Sequence, residues 1–70
     1  MGSVYRIVDV VGTSQKSWED AAREAVKTAS GSLRDLRVAE VEKLDVTISD
    51  DGEVDLFRTR LQLSFKYQQE

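Results

Sequence analysis

The side chains here that could give or take a proton, or hold an ion, are carboxylates, amines, guanidiniums and hydroxyls. The chain has no Cys and no His, so thiol nucleophiles, imidazole bases and the common Cys/His zinc sets are excluded. Serines are present, but none lies in the G-x-S-x-G setting that exposes a nucleophile on a sharp turn. Glu40 and Glu42 stand two apart and would share a face of a strand; a solvated or interfacial face is a simpler reading than an acid/base pair. The acidic run Asp50, Asp51, Glu53, Asp55 has oxygens for calcium. Its spacing does not match an EF-hand loop, however, and turns favour Asp for their own backbone geometry. Gly12-Thr13-Ser14, between a strand and a helix, could offer backbone N–H groups to an anion. No Gly-rich fingerprint surrounds it, and a plain connection is the simpler reading. So short a chain leaves little room for a pocket. The expectation is a binding or storage module, with no catalytic residues.

Seventy residues read as one domain over 1–70, with 40% hydrophobic and 33% charged residues. A chain of this size buries only about 60% of its unfolded surface and is marginal alone. Disulfides are excluded, so assembly with copies of itself is the expected support, with a carboxylate-bound cation as the lesser alternative. The net charge of −3 comes with both signs interleaved, which argues against nucleic acid, since phosphate binding needs a basic patch. No long apolar run suits a membrane span. The N-terminal residues lack the charged-then-apolar pattern of a signal peptide. A cytoplasmic protein without a membrane partner is expected.

The elements that must position these groups centre on Ser17 to Leu36. Trp18, Ala21, Ala22, Ala25, Val26, Ala29, Leu33 and Leu36 recur at steps of three and four, one stripe of a helix. Ser17 can cap its start and Asp20 can answer as a shortened capping box. The helix is expected to run to about Asp35, although Gly31 inside it would cost about 1 kcal/mol relative to Ala. Because the early stripe is mostly alanine, a sheet can approach closely.

Val4 to Val11 is rich in β-branched residues and reads as a first strand ended by Gly12-Thr13-Ser14. Arg37 to Ser49 reads as a second. Its apolar phase flips between Val41 and Leu44, which predicts either a bulge near Glu42-Lys43 or two halves facing different surroundings. Asp50-Asp51-Gly52 is a hairpin turn. Glu53 to Tyr67 alternates most cleanly: Phe57, Thr59, Leu61, Leu63, Phe65 and Tyr67 against Arg58, Arg60, Gln62, Ser64 and Lys66. Such a strand spans roughly 45 Å, more than one short helix covers, which again points to neighbouring chains. The fold class is α+β: β-α-β-β, a three-stranded antiparallel sheet wrapped on one helix, with the last strand between the other two and a right-handed crossover.

Three stretches carry a resemblance: V-Y-R-I-V-D-V-V-G-T-S from Val4, S-W-E-D-A-A-R-E-A-V from Ser17, and S-L-R-D-L-R-V-A-E-V from Ser32. With S-F-K at Ser64 to Lys66 they resemble the dodecins over nearly the whole chain. That resemblance implies a hollow homododecamer, with flavins held in pairs at subunit contacts in many members. There the second strand carries D-W-F-E-V with a stacking Trp; this chain has Arg37-Val38-Ala39-Glu40-Val41, so Val38 takes the Trp position. Arg58 falls where a Gln meets the flavin ring edge, and Asp45 where a basic residue is common. These departures count against flavin held in the usual manner, because Val cannot stack on a planar ring. Trp18 is expected in a core or an interface rather than on a ligand.

Members lacking the flavin Trp resemble this chain more closely, with S-W-E at the helix start and R-V-A on the second strand, and a calcium-binding type is among them. The resemblance therefore implies a small ligand or cation, calcium or a flavin, stored or buffered at contacts lined by Val38, Asp45 and Arg58 from different chains. Asp9, Glu40, Asp45, Asp50 and Asp51 are the carboxylates that could hold a cation. The alternatives are a flavin-storage dodecin with an altered pocket, in which Arg58 meets an anionic or carbonyl edge, and a structural oligomer with no ligand.

Overall fold

The alanine stripe becomes α1, Trp18–Ser30, laid on a sheet of β1 (Tyr5–Ser14), β2 (Leu36–Ile48) and β3 (Val54–Lys66). The computed structural model describes residues 2–67; Met1 and residues 68–70, the ends of the expected domain, lie outside the described residues. Strand order is β1-β3-β2 with both pairings antiparallel, which is the expected α+β arrangement.

Ser17 caps α1 by accepting the Asp20 N–H at 3.0 Å. The Asp20 carboxylate does not complete a capping box; it accepts the Ser14 hydroxyl at 2.7 Å instead. Ala25 and Ala29 are buried against Leu61 and Leu63 of β3, each leucine 1% exposed, and Ala21 is fully buried where the helix passes β1. Val8, Val10, Ala22, Val26, Leu33 and Leu36 pack around that cluster. Thr59 is also buried, and its hydroxyl is satisfied by the Trp18 carbonyl at 2.8 Å.

Two boundaries differ from expectation by more than one residue. The helix stops at Ser30 rather than near Asp35: Gly31 is the C-cap, and Ser32 and Leu33 N–H groups both donate to the Ala29 carbonyl. Asp35 then takes φ +58° and turns the chain into β2. Leu33 and Leu36 do reach the core, but from a turn and a strand. The second difference lies in β1, which continues through Gly12-Thr13-Ser14, paired with Thr59, Arg58 and Phe57. Gly12 lies so near the helix that a Cβ there would stand 2.0 Å from the Ala21 carbonyl oxygen. The three residues thus form ladder, not an anion-binding turn.

The phase flip in β2 is a bulge. Val41 pairs with Leu61 and Lys43 with Arg60, leaving Glu42 as the extra residue. Ala39 and Val41 before it, and Leu44 and Val46 after it, share registers with Leu63, Leu61, Thr59 and Phe57, so both halves keep their apolar side toward the helix. At the hairpin tip Gly52 supplies φ +84°, which few residues other than Gly adopt easily.

α1, with 13 residues, is about 20 Å long, while β3, also 13, is about 43 Å. Much of the sheet therefore lies uncovered, and Ile7, Val11, Val38, Val41, Leu44, Ile48 and Val54 are exposed. No helix among the described residues is long and apolar enough to cross a membrane.

Candidate functional site

Alternation along three paired strands sorts the side chains of the helix-free face into rows. Thr13, Arg58 and Asp45 form one; Val11, Arg60 and Lys43 the next; then Asp9, Gln62 and Glu40; then Ile7, Ser64 and Val38. Residues directly opposite across a sheet project to the same side, so Val38, Asp45, Arg58, Asp9 and Glu40 all share this face.

Asp45 and Arg58 are brought together. The Arg58 Nε lies 2.7 Å from Asp45 Oδ1 and its Nη2 3.0 Å from Oδ2, the fork-to-carboxylate geometry that makes arginine pairs specific. The Arg58 hydrogen bond lowers the Asp45 carboxyl below its ordinary pKa; partial desolvation opposes this, and the charges of Arg58 and Lys43 add to the lowering. The same bond raises the Arg58 guanidinium. Both side chains remain more than two-fifths exposed, so the pair is reachable from outside the chain. With Val11, Lys43 and Arg60 it lines a depression of about 190 Å³.

Val38 is not part of that depression. It pairs at Ser64, six residues along β3 from Arg58, or roughly 20 Å at ~3.3 Å per residue. Its row partners Ser64 and Ile7 carry no ring. A pocket that used Val38 beside Asp45 and Arg58 would need them from separate chains.

The candidate cation ligands are spread out. Asp9 and Glu40 flank Gln62 in one row. Asp50 and Asp51 sit in the hairpin turn, where the Asp51 carboxylate accepts the Ser49 hydroxyl and, at 3.2 Å, the Glu53 N–H. Chiefly the Ser49 bond, then the Glu53 bond, lowers the Asp51 carboxyl below its ordinary pKa. Asp51 thus serves its own turn. Among the described residues of one chain, no three carboxylates gather closely enough to hold a metal ion.

The structure adds contacts that sequence reasoning did not give. Arg60 lies between Asp9 and Glu42, 3.8 Å from each carboxylate. Its outward position was readable from the β3 alternation, but its partners depend on register. The Trp18 indole N–H donates to the Asp45 carbonyl at 2.9 Å, and its ring meets Phe57 edge-on at 5.2 Å and 78°. That is the packed Trp the helix stripe predicts. Nothing in the local sequence signals its link to β2. Between Trp18, Ala22, Val41, Leu44 and Thr59 runs an open, mostly apolar groove of about 300 Å³.

The family model described as Dodecin matches residues 4–68. The calcium dodecin of Mycobacterium tuberculosis is 45% identical over 64 residues, 91% of this chain and 89% of that protein. The crystal structure of the calcium-chelating immunodominant antigen calcium dodecin from the same organism, described with a novel calcium-binding site, superposes with a TM-score of 0.83 at 44% identity, covering 94% of this chain and 93% of that one. Dodecin from Streptomyces coelicolor gives a TM-score of 0.90 at 37% identity, covering 97% and 96%.

Proposed function

The chain belongs to the dodecin family, and from that premise we propose that it is a non-catalytic homo-oligomer, a dodecamer, that binds and stores or buffers a small ligand or cation at its subunit contacts. The observation that carries this reading is the uncovered sheet face. It holds the Asp45–Arg58 pair and the carboxylates of Asp9 and Glu40 beside exposed Ile7, Val11 and Val38. Apolar exposure of this extent favours contact with further copies, and contact would place the charged rows of different chains together. Val38, Asp45 and Arg58 from separate chains are the proposed lining for a small ligand, and Asp9 and Glu40 on the same face are the proposed carboxylates for a cation.

Calcium is the favoured cation because the relative at 45% identity is a calcium dodecin. Calcium takes six to eight oxygens, more than one chain's dispersed carboxylates supply, so the site is shared between chains. A flavin is the second candidate. Against it stand Val38, which offers no ring to stack on, and Arg58, whose guanidinium is already held by Asp45.

Native mass spectrometry of untreated protein, followed by calcium titration after chelation, tests this. Twelve subunits of 7.9 kDa give about 95 kDa. That mass with saturable calcium uptake supports the reading, and bound flavin would favour the second ligand. A monomer or dimer sinks it, and a dodecamer that takes up neither leaves a purely structural oligomer.

A further inference from the structure

We propose that Trp18 is the positioning residue of the Asp45–Arg58 pair, acting through the sheet from the opposite face. Three contacts converge on this residue. Its indole N–H donates to the main-chain carbonyl of Asp45 at 2.9 Å. Its own carbonyl accepts the Thr59 hydroxyl at 2.8 Å. Its ring packs edge-on against Phe57, with centroids 5.2 Å apart. Phe57 and Thr59 are the two neighbours of Arg58 in the chain. Trp18 therefore grips Arg58's strand on both sides of that residue and grips β2 at Asp45 itself, while the two paired side chains project to the other face.

The location explains why such a clamp is useful. β2 is an edge strand, supported from one side only. The bulge at Glu42 lies three residues before Asp45, and a bulge leaves its strand locally bent and its ladder interrupted. A fork-to-carboxylate pair with 2.7 and 3.0 Å contacts tolerates little sliding between its two strands. Trp18 is itself fixed, because the buried alanines that follow it on α1 anchor the helix that carries it. The indole thus transmits the helix position to the edge strand just past its irregularity.

The test uses assembled protein carrying ¹⁵N-labelled arginine, free of added ligand, with Arg58→Gln to assign the Arg58 Nε–H signal. Trp18→Phe keeps a ring against Phe57 but removes the N–H. The expected result is exchange of the Arg58 Nε–H with water about tenfold faster or more than in wild type, because a charge-assisted bond that no longer persists stops protecting its proton. Ser17→Ala weakens the helix start without touching either strand and is expected to leave that exchange unchanged. Thr59→Val frees only the Trp18 carbonyl and is expected to give a smaller acceleration, which supplies the readout should Trp18→Phe not fold. Unchanged exchange in Trp18→Phe, or in Thr59→Val where Trp18→Phe does not fold, overturns the proposal; so does equal acceleration in Ser17→Ala. The pair matters through the ligand reading above, yet this readout needs no ligand. Unaltered calcium uptake by Arg58→Gln would remove Arg58 from the ligand surface and leave the clamp standing.

Discussion

Gly12→Ala is the substitution on which the packing of helix and sheet can be judged most sharply. Gly12 lies inside β1 and has no positive φ, so alanine meets no backbone penalty there. By chain entropy alone, Gly→Ala at a compatible site stabilises by about 0.4–1 kcal/mol. The structure predicts the opposite sign. The new methyl would stand 2.0 Å from the Ala21 carbonyl oxygen, 2.9 Å from its carbon and 2.9 Å from the Ala25 Cβ. Ordinary van der Waals contact needs roughly 3.5 Å or more, so the Ala21 oxygen must retreat by about 1.5 Å. It is a backbone atom inside the first turns of α1 and cannot rotate away. Overpacking of this kind costs about 1–3 kcal/mol, which outweighs the entropic gain. Urea unfolding at fixed protomer concentration, with the assembly mass checked in parallel, measures the result. Ala25→Gly on top of Gly12→Ala would remove one contact but not the clash with the carbonyl, so it should not restore stability. A Gly12→Ala variant as stable as wild type or more so would refute the close approach, and with it the packing reason for a glycine in this strand.

Ser17→Ala removes the acceptor of the Asp20 N–H and should cost about 1 kcal/mol in the same unfolding experiment. Asp45 has a lowered carboxyl pKa because of the Arg58 bond. Its contribution to stability is therefore full above the unfolded value of about 3.9 and is lost as pH falls through the lowered folded value. Urea midpoints of wild type and Asp45→Asn should differ by a constant amount near neutral pH and converge below about pH 4; a gap that persists in acid would contradict the pairing. Val38→Trp places a ring on the uncovered face, where Val38 is 58% exposed. It should raise flavin affinity by about 2- to 13-fold, since a stacked aromatic pair adds ~0.5–1.5 kcal/mol beyond its buried area. Quenching of flavin fluorescence measures it.

What was legible in the chain was whatever depends on period. The alternation from Phe57 to Tyr67 located β3 and its two faces, and the phase flip between Val41 and Leu44 located the bulge at Glu42. What was hidden depends on one segment crossing another. Leu33 and Leu36 stay in helical phase with the alanines, so periodicity carries the helix past Gly31, although one of them reaches the core from β2. Gly12-Thr13-Ser14 has turn composition, and only the passage of Ala21 overhead shows why a glycine belongs inside that strand. The faces of Asp45 and Arg58 could be read from their strands, but their pairing could not, because the bulge shifts the register between them. Trp18 was placed on the buried stripe, while its indole partner lies 27 residues away, beyond any local signal.

The ion pairs also rank the carboxylates that could hold a cation. A cation at Asp45 must displace a guanidinium held at 2.7 and 3.0 Å, and one at Asp51 must break the bonds that shape the hairpin turn. Asp9 and Glu42 face Arg60 at 3.8 Å, a looser contact that costs less to open at an exposed surface. Glu40 has no ion pair among the described residues. It shares a row with Asp9 across Gln62, whose amide oxygen is itself a calcium ligand type. Two such rows, brought face to face by two copies of the chain, would supply side-chain oxygens in the number calcium takes. The proposed calcium uptake should therefore fall further in Glu40→Gln than in Asp45→Asn when both are titrated after chelation. Because Asp45→Asn also frees Arg58 as an uncompensated positive charge, some loss is expected from it too, with a stronger salt dependence. Equal loss in the two variants at high salt would mean that the cation does reach Asp45, and that the arginine gives way to it.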